Sequence, residues 1–389
     1  MKKMTSLCLA LVTGIALSTL VAQTLPVSKA VPVSKDSVAP PATIPLRGEL
    51  AEYDAHPNVH PVGPTTSRRL PSNLKMVTPG RDGVPGPRTI EATFKKIPVR
   101  YTQPVTVEEP QVQREALYTT RYLTEDEGLK ASTITSLLED SRGHLWIAAD
   151  QGGNVCRHDG ERIICFSQEE GFPLTWGIRT MLEDRQGRIW FSGERGVCYY
   201  DGHHFWHYER TGATGWENVA SGLLEDRHGN IWFNYGGDIH CYSGNEFTIY
   251  EQDALPMAGS LLEDRHGNIW ISSWGHGVMR FNGKQVVYIT EEDGLVDNHI
   301  GNMMETSTGE LWFTNNRFGL AEAKGVSRFI PDGEQTGLPT GTLINYTTES
   351  GLSGNRIVDM GEDRDGRIWL STWNDGITRF DAGLPDGQG

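Results

Sequence analysis

LLEDRHGNIWISSWGHGVMRFNG, residues Leu261 to Gly283, is one copy of a unit that recurs from about residue 133 to the end of the chain. Each copy carries a tryptophan after a Gly-x-Ile or Gly-x-Leu step. The six equivalent residues are Trp146, Trp190, Trp232, Trp270, Trp312 and Trp369. Because copies recur at a period of about 42 residues, the chain is expected to be an array of six repeats.

One repeat is predicted to be an antiparallel meander of four short strands. Asp and Gly at the first and fourth positions of Asp264–Gly267 favour a type I turn after the first strand. The next run is rich in Ile and Trp, which suits a buried pleated surface. Asn282-Gly283 is a strong hairpin signal before the last strand. The predicted strands are Ser260–Glu263, Asn268–Ser273, Val278–Phe281 and Val286–Thr290.

A meander of this size cannot bury both of its faces, so each repeat needs a neighbour on either side. Period and strand count together predict an all-β fold, a β-propeller of six four-stranded blades. The six tryptophans are then core residues between adjacent blades, since apolar positions that recur in every repeat are typical of a core.

The last repeat, Arg356 to Asp381, contains only three predicted strands. Residues Tyr122–Leu129 match Tyr288–Leu295, which is the end of the fourth blade. We therefore expect Leu117–Leu123 to supply the missing strand of the last blade. Such closure removes exposed sheet edges and predicts that the ring is complete within this chain.

The recurring pattern LLEDRxGxIW(I/F)S…GV.RF(D/N)G…YT.EDGL resembles the two-component regulator propeller repeats in periplasmic sensor regions of bacterial hybrid sensor kinases. The resemblance covers roughly residues 117 to 389. It implies a propeller that senses a periplasmic ligand, and such sensors are often tied to polysaccharide use. The immunoglobulin-like module, membrane helix and kinase of that family are not recognisable here, so we expect a stand-alone exported protein.

Three regions are predicted along the chain. Residues 1–23 resemble a secretory signal peptide, with Lys2 and Lys3 ahead of the apolar run Leu7–Ala16. Residues 24–115 are rich in Pro and are predicted to be an extended or disordered tether. Residues 116–389 are predicted to form the propeller. The predicted location is therefore periplasmic or secreted, with no membrane span after signal removal.

The chain has 35 Lys and Arg against 50 Asp and Glu, a formal net charge of -15. This balance argues against nucleic acid as a partner, because nucleic acid requires a positive surface.

Four cysteines follow the predicted signal peptide. Cys156 and Cys165 belong to one predicted hairpin. If Asp159-Gly160 forms the centre of that hairpin, Cys156 lies opposite Ile163 and not Cys165. The cysteines are therefore predicted to be mainly buried free thiols.

Several groups of polar residues could suggest metal or catalytic chemistry. His203 and His207 would be about 13 Å apart on one strand, too far to share one metal ion. Asp363–Gly366 lacks the later acidic ligands of a calcium loop. Glu-Asp pairs such as Glu263-Asp264 recur in five of the six repeats, which favours turn capping over catalysis. No cofactor, metal site or catalytic residue is therefore predicted.

Function is expected where the repeats differ, in the loops that follow the second and fourth strands. In a propeller these loops lie on one face around the channel. Their aromatic, guanidinium and amide groups could stack on rings and bind polar edges of a ligand. The predicted ligand-binding residues are Trp176, Arg179, Trp216, Tyr235, Trp274, His276, Arg317, Trp373 and Asn374.

Three functions remain open at this stage. The first is a non-catalytic exported binding protein whose ligand is an oligosaccharide or another small periplasmic molecule. The second is a lyase similar to streptogramin lyases, whose Gly-x-Leu-Trp-Phe-Thr pattern is matched by Gly309–Thr314, with His276 or His299 as the base. The third is a scaffold for an exported protein partner.

In blade five, extra chain at Asn316–Lys324 and Asp332–Thr342 could form a lid or contact arm.

Overall fold

The structure is a computed structural model that describes residues 65–381, apart from 82, 102, 107–127, 131–132, 150–152, 176, 211–217, 252–257, 316–322 and 336. The predicted signal peptide and the predicted closing strand Leu117–Leu123 lie outside these residues. Within the described residues, no helix is long and apolar enough to span a membrane.

The described part of the chain starts with five short strands, followed by six antiparallel sheets in sequence order that form the blades of a β-propeller. The early strands are β1 (Thr66–Arg69), β2 (Met76–Val77), β3 (Arg88–Glu91), β4 (Lys95–Pro98) and β5 (Val105–Thr106). The predicted six-bladed, all-β fold is confirmed.

Blades one to three each contain four consecutive strands. Blade one contains β6 (Ile134–Glu139), β7 (Leu145–Ala149), β8 (Val155–His158) and β9 (Arg162–Phe166). Blade two contains β10 (Thr180–Glu183), β11 (Ile189–Gly193), β12 (Gly196–Tyr200) and β13 (His204–Tyr208). Blade three contains β14 (Ala220–Glu225), β15 (Ile231–Tyr235), β16 (Asp238–Tyr242) and β17 (Glu246–Tyr250).

Blades four and five repeat this plan, and three strands are described in blade six. Blade four contains β18 (Ala258–Glu263), β19 (Ile269–Ser273), β20 (Val278–Phe281) and β21 (Val286–Ile289). Blade five contains β22 (Ile300–Glu305), β23 (Leu311–Asn315), β24 (Val326–Gln335) and β25 (Leu338–Tyr346). Blade six contains β26 (Ile357–Glu362), β27 (Ile368–Thr372) and β28 (Ile377–Phe380). Two short 3₁₀ helices, Glu291–Asp293 and Thr348–Ser350, follow blades four and five.

The repeated tryptophans lie in the core, as predicted, in the first five blades. Trp146, Trp190, Trp232, Trp270 and Trp312 are all buried. The sixth, Trp369, is 40% exposed within the part of the chain that the structure describes. The blade interfaces are therefore built from the same position of each repeat.

Residues 65–106, which we call the strap, run along the outside of the propeller. Strand β1 pairs with the fourth strand of blade five, β2 with that of blade four, β3 with blade three, β4 with blade two and β5 with blade one, all antiparallel. Each blade from one to five thereby gains a fifth strand, and its outer edge is covered.

We predicted an extended or disordered tether over residues 24–115, of which residues 24–64 and 107–115 lie outside the described residues. Over the strap, the chain is extended, but it is paired with the blades because each fourth strand offers an outer row of backbone donors and acceptors. Among the described residues, the Pro-rich step Gly83–Pro87 falls between β2 and β3, where the chain passes from blade four to blade three, and the Pro-rich sequence before residue 65 lies outside the described residues.

Apolar side chains of the strap are inserted between the blades. Leu70 and Leu74 are buried in the core cluster shared by blades four and five. The Phe94 ring lies between blades two and three, with its centroid 5.3 Å from that of Tyr199 and 5.3 Å from that of Tyr242. The strap therefore contributes side-chain packing as well as main-chain pairing.

The cysteine prediction was wrong for one pair, because Cys156 and Cys165 form a disulfide. Their strands pair with Cys156 directly opposite Cys165, with Cα atoms 3.9 Å apart. Asp159 occupies the first turn position, where its carboxylate accepts hydrogen bonds from the backbone N–H groups of Glu161 and Arg162. The turn is thus centred one residue later than we assumed. The residue that faces Cys156 therefore lies two positions later in the sequence, at Cys165 and not at Ile163. Cys198 and Cys241 are buried free thiols.

His240 is buried in blade three among aromatic rings, with Phe233 stacked on it at 5.1 Å. Neither of its ring nitrogens has a hydrogen-bond partner. Burial, together with nearby Arg210 and Arg88, lowers the pKa of His240 from 6.5 to about 3. The side chain is therefore neutral in the folded protein over most of the acidic range.

Replacing Phe94 with Ala should destabilise the propeller, because the strap loses its aromatic insertion between two blades. We expect the free energy of unfolding to fall by ~2–4 kcal/mol, measured by urea titration. Thr93→Ala, at an exposed neighbouring position, is the matched control. Equal stability of the two variants would show that the strap does not hold these blades together.

Stability should decrease as pH falls from about 6.5 towards 3, since the unfolded chain binds a proton at His240 that the folded protein does not. His240→Met should remove this component, and Met279 occupies the same register position in blade four. Between pH 7.5 and 4.5 the variant should lose about 2–3 kcal/mol less than the unmodified protein, measured by urea unfolding. His266→Gln, at an exposed histidine, should behave like the unmodified protein. Identical pH dependence for His240→Met would contradict the assignment.

Candidate functional site

The loops after the second and fourth strands meet at one end of the blades, which we call the loop face. Trp274, after the second strand of blade four, forms an isolated β-bridge with His299, just before blade five. The backbone N–H groups of Gly275 and Gly277 donate to the carbonyl of Asn298 at 3.0 and 2.8 Å. Main-chain hydrogen bonds therefore fix the loop that carries Trp274 against the next blade.

Trp274 is 44% exposed on this face, and His276 beside it is also exposed. The turn is tight because Gly277 has a φ of 76°, and a Cβ there would lie 2.1 Å from the carbonyl oxygen of Ile289. Only glycine fits this position. The turn thus holds Trp274 on the surface instead of letting it fold into the blade.

Trp373 is the second large aromatic residue on the loop face and is 41% exposed. The guanidinium of Arg356 lies 4.5 Å from the centre of its ring, a cation–π contact. Asn374, next to Trp373, is exposed. Sequence reasoning did not identify Arg356, although its position directly before a first strand places it in a loop of this face.

His299 forms a pair with a buried carboxylate. Its Nδ1 lies 3.0 Å from Oδ1 of Asp297, whose side chain is fully buried, while 32% of the His299 side chain is exposed. The same carboxylate oxygen accepts the backbone N–H of His299 at 2.9 Å. With Nδ1 directed at Asp297, a proton on Nδ1 leaves Nε2 as the acceptor. Asp297 is the carboxylate partner that could not be assigned from the sequence.

Tyr235 is not part of the exposed surface, contrary to our prediction. Its ring is fully buried and its hydroxyl donates to Oδ1 of Asn218 at 2.7 Å and accepts from the backbone N–H of Arg210 at 3.0 Å. Burial raises the pKa of Tyr235 to about 12. The residue lies at the end of a strand, and its hydroxyl reaches the segment between blades two and three.

Three predicted site residues, Trp176, Trp216 and Arg317, lie outside the described residues. Arg179 is half-buried, and its backbone N–H donates to the carbonyl of Ser192 at 2.8 Å. The structure therefore places four predicted residues in exposed positions on the loop face: Trp274, His276, Trp373 and Asn374. Beside them lie the half-buried Arg356 and His299 and the buried Asp297, of which the sequence had indicated only His299, as the base of a lyase.

The other polar groups considered in the sequence have structural partners. His207 is buried, with Nε2 2.8 Å from the carbonyl oxygen of Arg195. Asp363 accepts backbone N–H groups of its own turn, as a turn cap does. Over the described part of the chain, no group of three His, Cys, Asp or Glu side chains is arranged to hold a metal ion.

The extra chain of blade five extends its outer hairpin instead of covering the loop face. Strands β24 and β25 continue their pairing to Gln335 and Leu338. Arg280 of blade four forms an ion pair with Glu334 and donates to the carbonyl of Gly337. The described residues of Asp332–Thr342, which we predicted to be part of a lid or contact arm, therefore form an arm on blade four, and most of the other part, Asn316–Lys324, lies outside the described residues.

Comparisons with known proteins agree with this architecture. Residues 128–151, 171–195 and 351–374 match the family model described as two component regulator propeller. The extracellular domain of a protein described as a hybrid two component system from B. thetaiotaomicron has a TM-score of 0.51 and 20% identity, over 66% of this chain and 34% of that one. Virginiamycin B lyase from Staphylococcus aureus, in a catalytically inactive variant with quinupristin, has a TM-score of 0.50 and 14% identity, over 75% and 98%. These likenesses show the fold, and this chain spans about a third of the first structure. No curated protein sequence matches significantly.

Proposed function

Because the chain carries two component regulator propeller repeats, we propose that it is a non-catalytic exported propeller that binds an oligosaccharide or a similar small ligand through its loop face. Export is supported by the signal-like N-terminus and by the disulfide between Cys156 and Cys165, since structural disulfides persist in oxidising compartments. The similar extracellular domain supports a location outside the cytoplasm.

One observation carries the proposal: two tryptophan side chains are exposed on the same face as polar side chains. Trp274 has His276 and His299 beside it, and Trp373 has Arg356 and Asn374. Indole rings offer a large apolar surface at low conformational cost, on which a sugar ring can stack. Guanidinium, imidazole and amide groups at its edge can then bind hydroxyl groups.

Replacing both Trp274 and Trp373 with Ala should weaken ligand binding about 5- to 150-fold, since each indole contributes about 0.5–1.5 kcal/mol of stacking. A panel of oligosaccharides is first screened by the rise in melting temperature, because a ligand of the native state stabilises it. Affinity is then measured by calorimetry. Two control variants are measured beside the double variant: Trp274→Phe, which retains a ring, and Met76→Ala, which alters the strap only.

Full affinity in the double variant would rule out this face as the binding site. If no oligosaccharide raises the melting temperature, a protein partner is favoured, and the loop face should then be tested in a pull-down from exported proteins with the same variants.

A second function, elimination catalysed by a lyase, is supported by the pair formed by His299 and Asp297. A histidine oriented by a buried carboxylate can act as a general base, and a structurally similar protein is a lyase. If this chain is a lyase, quinupristin should be consumed and the activity should be lost in His299→Ala, and a chelator should abolish the activity if the elimination is metal-dependent. Binding of a sugar without turnover of quinupristin would favour the non-catalytic function.

A further inference from the structure

A cavity of about 540 Å³ lies under the strap, at the junction of blades three and four. Its lining includes Pro79, Arg81 and Pro87 from the strap, Tyr250 from blade three, and Phe281 and Lys284 from blade four. This volume is within the range of small-molecule sites. The cavity is built by side chains of the outer rim and includes no residue of the predicted loop-face site.

The strap wall of the cavity is held in place by its own hydrogen bonds. Within Thr78–Pro87, the backbone N–H of Gly80 donates to the carbonyl of Val84 at 3.0 Å, and that of Arg81 donates to Thr78 at 2.9 Å. Gly80 and Gly86 are in close contact, since a Cβ on Gly86 would lie 3.2 Å from Cα of Gly80. The described residues of this loop are therefore preorganised, which lowers the cost of binding.

The inner wall is aromatic. The rings of Tyr250 and Phe281 meet edge to face with centroids 5.2 Å apart, and Tyr250 also stacks on Trp232. Burial raises the pKa of Tyr250 to about 12, so its phenol is neutral and does not repel an anion. With the two prolines, these rings form an apolar surface for the body of a ligand.

The charged side chains of the lining are both cationic. Arg81 and Lys284 are exposed, and no acidic residue lines the cavity among the described residues. This is unusual here, because residues 107–389 contain 22 Lys and Arg against 44 Asp and Glu. The strap has the opposite balance, with eight Lys and Arg against two Asp and Glu. A local cationic cavity on an acidic propeller selects an anion.

We propose that this cavity binds a small anionic molecule in which a carboxylate or sulfate-type group is attached to an apolar or ring-shaped body. Arg81 and Lys284 bind the anionic group, and the body contacts Tyr250, Phe281 and the prolines. Arginine and lysine differ in role, because the planar guanidinium can bind two oxygens of the anion at once while the ammonium acts as a point charge.

The experiment uses matched anionic and neutral probes on the full mature protein. Naphthalene-2-sulfonate is compared with naphthalene-2-sulfonamide, and naphthalene-2-carboxylate with its carboxamide, by isothermal calorimetry. We expect each anion to bind at least tenfold more tightly than its neutral partner. Binding should weaken when the ionic strength rises from about 0.05 to 0.3 M, because the charges are exposed. The two anions distinguish sulfate-type from carboxylate ligands.

The site is assigned by the variant R81Q/K284Q, which should lose at least tenfold in affinity for the anion. Arg100→Gln removes an exposed strap cation outside this cavity and should bind as the unmodified protein does. Circular dichroism checks that each variant is folded. The proposal is overturned if neither anion binds at about 5 mM, if neutral and anionic probes bind equally, or if R81Q/K284Q and Arg100→Gln have the same affinity.

Discussion

The hydrogen bond from a tryptophan indole to a turn aspartate is the interaction on which the blades depend. In blade four, Nε1 of Trp270 donates to Oδ2 of Asp264 at 2.7 Å, while Oδ1 accepts the backbone N–H groups of His266 and Asn268 at 2.9 Å. One carboxylate thus closes the turn and also satisfies the polar atom of the largest core side chain. A buried indole N–H without a partner would cost about 1–3 kcal/mol, so the two requirements of the repeat are met by one residue. The same bond is present in the blades of Trp146, Trp190, Trp232 and Trp369.

The glutamate at the end of the first strand connects neighbouring blades in blades two to six. Glu263 accepts from the backbone N–H of Arg227 in the previous blade at 2.8 Å, and from its guanidinium at 2.6 Å. Glu305 does the same for Arg265. Blade five is the exception at the aspartate position, where Thr306 occurs and Nε1 of Trp312 has no hydrogen-bond partner in the structure. The Glu-Asp pair therefore makes one set of hydrogen bonds within the blade and another between blades, which explains its recurrence.

The repeat could be read from the sequence because its chemistry is local. Indole, aspartate and turn glycine recur at fixed spacing, and the four strands of blades one to five follow from them. The pairing of Cys156 with Cys165 was missed because an Asx turn moved the hairpin centre by one residue, a shift that Asp159-Gly160 alone does not specify. The strap was missed for a different reason. Its strands are short, and their partners are distant in sequence, so no periodicity marks them.

For the candidate site, the sequence could indicate the loops but not the orientation of their side chains. Trp274 and Trp373 are exposed as expected, whereas Tyr235 is directed inwards by hydrogen bonds to a neighbouring loop. Asp297 and His299 are two residues apart, and only the fold shows that one is buried beneath the other. A site formed by loops of different blades depends on these tertiary contacts.

The strap strands pair with the blades in reverse order, from β1 with blade five to β5 with blade one. This order limits how the molecule can be assembled. Strand β5 finds its partner in blade one, soon after it in sequence, whereas β1 must wait for β25 of blade five. Sequence separation between partners grows with every blade, and the entropy of closing the loop grows with it. As the chain emerges, the strap can be completed only from its C-terminal end towards its N-terminal end, one blade at a time. The first residues of the strap to be synthesised are therefore the last to pair. Strand β1 can pair only after the fourth strand of blade five has been made.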